Sequence, residues 1–98
     1  MASGLEKQHI EITPGICGGK PRIAGTRIRV QDVYVWHELQ GKTADAIVVE
    51  FPQLSMADVY AALAYLWDHR AEIAQQMQAE EDFVATIQAK LGPGPLLL

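Results

Sequence analysis

Lys20, Arg22, Arg27 and Arg29 are four of the chain's eight basic residues, and all lie in the stretch Pro14–Val30, which contains no acid. That stretch also holds four of the eight glycines and two of the five prolines. Cations at this density on a short segment suit phosphate contact, along a nucleic-acid backbone or in a minor groove. The same side chains can instead pair with the chain's own acids, or two such arms can pair as a ribbon between subunits. Gly19-Lys20 suggests a phosphate loop, but Pro14 stands where its leading glycine belongs and Pro21 where Ser or Thr would hold a metal. His37-Glu38 opens like a zinc-protease helix, yet Gly41 occupies the place of the second histidine. His9, His37 and His69 have no ligand-like spacing, so no metal and no cofactor are expected. Cys17, the single cysteine, has no histidine at a nucleophile-like spacing; alone it cannot form an internal disulfide, and it suits a reducing cytoplasm. With no paired carboxylates and no serine motif either, a binding protein is expected rather than an enzyme.

The elements that must carry these residues read as follows. His9 to Thr13 alternates, with Ile10 and Ile12 on one face of a short strand that Pro14 ends. Pro21–Ala24 and Thr26–Val30 are two extended pieces about Ala24-Gly25; Ile23, Ile28 and Val30 share a buried face, while Arg27 and Arg29 project together from the other. Val33, Val35, Trp36 and Leu39 then recur at helical spacing, and Gly41 sits at a helix C-cap. Thr43 caps a second helix running to about Phe51, with Asp45 in its first turn and Ala46, Ile47 and Phe51 inward. Pro52 stops it. Ser55 caps a third helix, with Asp58 three residues on, and this helix is predicted to run at least to Gln78. Val59, Leu63, Leu66, Ile73, Met77, Val84, Ile87 and Leu91 lie on one ladder of four- and three-residue steps. Glu80-Glu81-Asp82 marks an expected break, after which Phe83 to Leu91 forms a short amphipathic helix suited to another chain. Gly92-Pro93-Gly94-Pro95 ends any helix, and the two termini, Met1 to Gln8 and Leu96 to Leu98, read as frayed.

The fold class is therefore mainly α: a homeodomain-like trihelical helix-turn-helix core, a short N-terminal β-strand or hairpin arm, and a long C-terminal helix. Residues 9–78 form the helix-turn-helix domain with its arm, and 79–98 an interaction segment and tail. Charge divides along the same line. Residues 1–42 carry six bases and four acids, net +2, and residues 43–98 carry two bases and eight acids, net −6, which sum to the stated −4. One end suits an anionic partner and the other a cationic one. No apolar run approaches the ~20 residues of a membrane span, and Met1–Lys7 has no signal-peptide core, so a cytoplasmic protein is expected. In helix-turn-helix geometry the first turns of the third helix face the major groove. Here they bear Ser55, Met56, Asp58 and Tyr60 and no cation before Arg70. Asp58 would be repelled by phosphate, although it could accept from a cytosine amino group.

Gly18-Gly19-Lys20-Pro21-Arg22-Ile23-Ala24-Gly25-Thr26-Arg27-Ile28, with Gly41-Lys42-Thr43, Phe51-Pro52-Gln53-Leu54-Ser55 and Asp58–Tyr65, resembles the domain-of-unknown-function family 433 over about residues 9–72. The resemblance implies an antitoxin of a prokaryotic type II toxin–antitoxin pair, partnered with a PIN-like ribonuclease toxin. It implies operator DNA binding as a homodimer but does not fix the contacts; the candidates, Lys20, Arg22, Arg27 and Arg29 on the arm and Ser55 and Tyr60 on the third helix, rest on their charge and place in the helix-turn-helix. Neutralisation would fall to the C-terminal segment. The family pattern thins after Arg70, so the assignment of Phe83, Val84, Ile87 and Leu91 to partner binding rests on their apolar face in an acidic context. Since PIN-type sites gather carboxylates, such a segment is expected on a basic substrate-binding rim instead. The alternative is a protein-interaction module of the same fold that does not bind DNA, its arm used for dimerisation.

Overall fold

The structure, a computed structural model, describes residues 8–91. The expectations for both terminal segments, including the Gly92–Pro95 helix stop, lie outside them. The described chain divides after Asp68 into two compact units.

The first unit begins with a small antiparallel hairpin, β1 (Ile10–Glu11) and β2 (Arg22–Ile23), with Ile10 opposite Ile23 and Glu11 opposite Arg22. A third extended piece continues the pairing through an Arg22–Arg29 bridge, with the Ile23 N–H donating to Ile28 O at 2.8 Å and the Val30 N–H to Pro21 O at 3.0 Å. Three helices follow: α1 (Val30–Tyr34), α2 (Ala44–Glu50) and α3 (Met56–Asp68). They pack as a trihelical core in which α2, a short turn and α3 form the helix-turn-helix, and both strands lie against α3. Ile23, Val30, Val33, Ile47, Leu54, Val59, Ala62 and Leu66 are buried. The hairpin is thus part of the packed fold and not a free extension.

Local chemistry accounts for the boundaries. The Thr43 hydroxyl accepts the Ala46 N–H at 3.1 Å, capping α2 as expected. Ser55 and Asp58 form a reciprocal capping box, the Ser55 N–H donating to Asp58 Oδ2 at 2.9 Å and the Asp58 N–H to Ser55 Oγ at 3.0 Å. α1 does not run as one regular helix to Gln40. Val35–Leu39 is a π turn, closed by the Gln40 N–H on Val35 O at 2.9 Å, and Gly41 with φ +74° ends it. The wider turn shifts the phase of the helix. Leu39, expected inward, is 62% exposed as a result, while Trp36 stacks on Phe51 with ring centroids 4.3 Å apart. In α2 the inward small residue is Ala44 and not Ala46, because the helix turns Ala44 and Ile47 to the core together at a three-residue step.

The second unit is a single helix, α4 (Arg70–Leu91). The expected helix from Ser55 to Gln78 is broken at His69, and the expected break at Glu80–Asp82 is absent, because α4 runs through it. An acidic triplet repels only in proportion to its solvent-screened charge, and two of its three residues, Glu80 and Glu81, are good helix formers. Gln78 also donates to Asp82 at 3.0 Å along the helix, an (i, i+4) bond that supports continuity. No helix among the described residues is long and apolar enough to cross a membrane.

Candidate nucleic-acid interface and partner-binding helix

The glycine-rich loop and the Arg27–Arg29 segment are widely spaced in sequence but adjacent in the fold. Three consecutive left-handed residues, Cys17 (φ 53°), Gly18 (φ 66°) and Gly19 (φ 75°), coil the loop into one tight turn. It closes through the Gly19 N–H on Ile16 O at 2.9 Å and lies against the opposite segment, where the Cys17 thiol meets Arg27 O at 3.5 Å. On the other side Gly25, at φ +78°, completes a turn in which the Thr26 N–H and hydroxyl both donate to Ile23 O. The Thr26 hydroxyl also accepts the Ile28 N–H at 3.0 Å. The Gly25-Thr26 pair thereby folds the chain back on β2.

The four cations have separate fates. Arg22 is turned inward, with 7% of its surface exposed. Its guanidinium donates to Thr26 O at 3.1 Å and Thr13 Oγ1 at 3.2 Å, and pairs with Glu11 at 3.0 Å. It ties both strands and both turns together, so it is not presented to a nucleic acid. Arg29 holds Asp32 bidentately, Nε to Oδ2 at 3.2 Å and Nη2 to Oδ1 at 2.9 Å, while the Arg29 N–H donates to Asp32 Oδ2 at the start of α1. Arg29 remains half-exposed, and Arg27 is exposed. The Lys20 ammonium titrates below the ordinary lysine value, because partial burial disfavours its charge and Arg29 lies nearby; Asp32 acts in the opposite direction. Of the four cations, Arg27 is thus fully outward, and Lys20 and Arg29, near each other, are half-exposed. The two internal pairings match, for Arg22 and Arg29, the competing sequence reading in which these arginines pair with the chain's own acids.

On α3, Ser55 is exposed but its hydroxyl already accepts the Asp58 N–H. Tyr60 is 58% exposed. Asp58 does not reach the helix surface. It is buried, and its Oδ1 lies 2.7 Å from His9 Nδ1, tying the chain ahead of β1 to α3. Periodicity does not reveal this contact, since it joins residues 49 apart. The exposed positions of α3 from Ala57 to Trp67 (Ala57, Tyr60, Ala64 and Trp67) carry no charge, and its last residue, Asp68, is exposed and acidic.

On α4, all four partner-binding candidates are exposed: Phe83 by 66%, Val84 by 51%, Ile87 by 38% and Leu91 by 54%. Phe83, Ile87 and Leu91 follow one another at four-residue steps, which places them on one side of the helix.

The family model described as protein of unknown function (DUF433) matches residues 10–66. A solved structure, described as a DUF433 member protein from Anabaena variabilis ATCC 29413, is similar at 30% identity and a TM-score of 0.69, covering 78% of this chain and 74% of that one. No curated protein matches the chain.

Proposed function

The chain belongs to the DUF433 family, of unknown function, and on that premise we propose that it is a DNA-binding antitoxin that neutralises a PIN-like ribonuclease. In this reading it is a cytoplasmic homodimer and not an enzyme. The observation that carries it is the apolar stripe of α4. Four large apolar side chains stand exposed on a helix whose other residues include Glu72, Glu80, Glu81 and Asp82. Exposed apolar side chains grouped on one side of a helix are the usual means by which a helix docks in a groove of a partner. The surrounding carboxylates favour a partner with a basic rim, such as the substrate path of a nuclease. Occupying that path would exclude RNA.

Lys20, Arg27 and Arg29 support the DNA-binding part. Their solvent-accessible charge suits the phosphate backbone, and Tyr60 is exposed on α3 to reach a base or sugar. The test is a titration of full-length protein with its own upstream DNA across salt concentrations, together with RNA cleavage by the neighbouring PIN-like nuclease. Salt-sensitive DNA binding with suppression of cleavage is the expected result. Absence of both removes the proposal.

A second reading, an interaction module without DNA binding, is favoured by one observation. Arg22 and Arg29 are engaged with Glu11 and Asp32, and α3 carries no cation to offer a phosphate. Cleavage inhibition without binding to any DNA would select it.

A further inference from the structure

Among the described residues β1 has β2 on one side only, and the hydrogen-bond parity of the hairpin shows what its other edge presents. The Ala24 N–H donates to His9 O at 2.7 Å, so His9 and Ala24 are a hydrogen-bonded pair and Ile10 and Ile23 a non-hydrogen-bonded one. The backbone N–H and C=O groups of Ile10 and Ile12 therefore point away from β2. Among the described residues Ile10 O is met there by the Gln8 side-chain amide, in an exposed bond of 3.3 Å. The edge borders an open groove of about 650 Å³ lined by Gln8, Ile10, Glu11, Ile12, Thr13 and Tyr65. Ile12 shares the Ile10 face of the strand yet is 56% exposed.

We propose that this edge pairs with β1 of a second copy, antiparallel about Glu11, giving a continuous four-stranded sheet across a two-fold axis. In this register Ile10 lies opposite the partner's Ile12 and Ile12 opposite the partner's Ile10. Both are hydrogen-bonded pairs, so four backbone bonds form, and each exposed Ile12 is covered beside Tyr65 by an isoleucine. Any other occupant would have to be an extended strand with the same alternation; the second copy already has it. Pro14, which cannot donate, falls just outside the paired stretch. Glu11 lies opposite the partner's Glu11, and each of these carboxylates is paired with an arginine of its own chain, as Glu11 is with Arg22 at 3.0 Å. The polar face of the sheet therefore reads basic, acidic, acidic, basic, and the two copies meet without uncompensated charge. The inference rests on the dimeric part of the proposed function and is independent of DNA and toxin.

The test uses the full chain. Sedimentation over a dilution series is paired with amide hydrogen exchange of the wild-type protein and with the variant Ile12→Lys. The expected result is a dimer at roughly 100 µM that dissociates on dilution, as suits a small interface. Exchange at the Ile10 and Ile12 amides should slow by about 10-fold or more in the dimer. Ile12→Lys should be monomeric, with the melting temperature that the wild-type protein shows when diluted to monomer. A monomer at every concentration overturns both this interface and the dimeric reading. A dimer whose Ile10 and Ile12 amides stay unprotected overturns the strand interface and leaves the dimer standing. Protection at these amides that is independent of concentration assigns the edge to another segment of the same chain and overturns the proposal. Because exchange is read on the wild-type protein, the outcome does not depend on Ile12→Lys folding.

Discussion

Arg22 and Arg27 belong to the same basic stretch and have opposite roles. The Arg22 guanidinium is buried among Glu11, Thr13 and Thr26, and its removal strands polar groups that the hairpin was built around. Arg22→Met is expected to cost about 2–3 kcal/mol, the range for losing charge-assisted hydrogen bonds, measured by urea unfolding. Arg27→Ala should stay within about 0.5 kcal/mol, because the side chain is exposed. If the basic surface meets phosphate, Arg27→Ala instead lowers the magnitude of the salt slope of DNA binding by about 1. Lys20 supplies a mutation-free check. Its ammonium titrates low because it is partly buried beside Arg29. A phosphate placed nearby favours the charged form, so the Lys20 pKa followed by NMR should rise when DNA binds. In free protein, the phosphate-binding charge of Lys20 should be lost at a lower pH than an ordinary lysine loses it.

At the scale of elements, two joints hold the first unit in register. One is Asp58, which caps α3 with Ser55 and also receives His9 from the segment before β1. A double-mutant cycle with His9→Gln and Asp58→Asn should give a favourable coupling, because each substitution alone leaves the other partner in place. Additive single effects would show that the contact contributes nothing to stability. The other joint is Gly41, left-handed at φ +74° after the π turn. Gly41→Ala is expected to cost about 1 kcal/mol in urea unfolding, from backbone strain alone, since a Cβ there meets nothing within 4 Å.

For the whole molecule, the division at His69 separates an arm-and-core unit from a helix that exposes its apolar side chains. Truncation after Met77 removes Phe83, Val84, Ile87 and Leu91 and keeps the buried Ile73. Its expected outcome is a cooperative thermal melt near that of the full chain, together with loss of nuclease inhibition. Loss of the cooperative melt would place the removed residues in the folding unit.

Short-range chemistry was legible without coordinates: the caps at Thr43 and Ser55, the stop at Gly41, the strand before Pro14 and the three-helix order. Each is decided within a few residues by backbone geometry and local hydrogen bonds, which the residue types themselves carry. The basic stretch was legible as composition but not as a surface. Whether an arginine faces water or an internal acid depends on which distant segments meet, and only tertiary packing joined Arg22 to Glu11 and Asp58 to His9. The same limit applies to the long ladder from Val59 to Leu91. Its period was correct over Val59, Leu63, Leu66 and Ile73, yet periodicity alone does not say where a helix kinks or which rungs lack a neighbour. The structure places the break at His69 and leaves the last rungs exposed. Burial is a property of what packs alongside, and no residue specifies it alone.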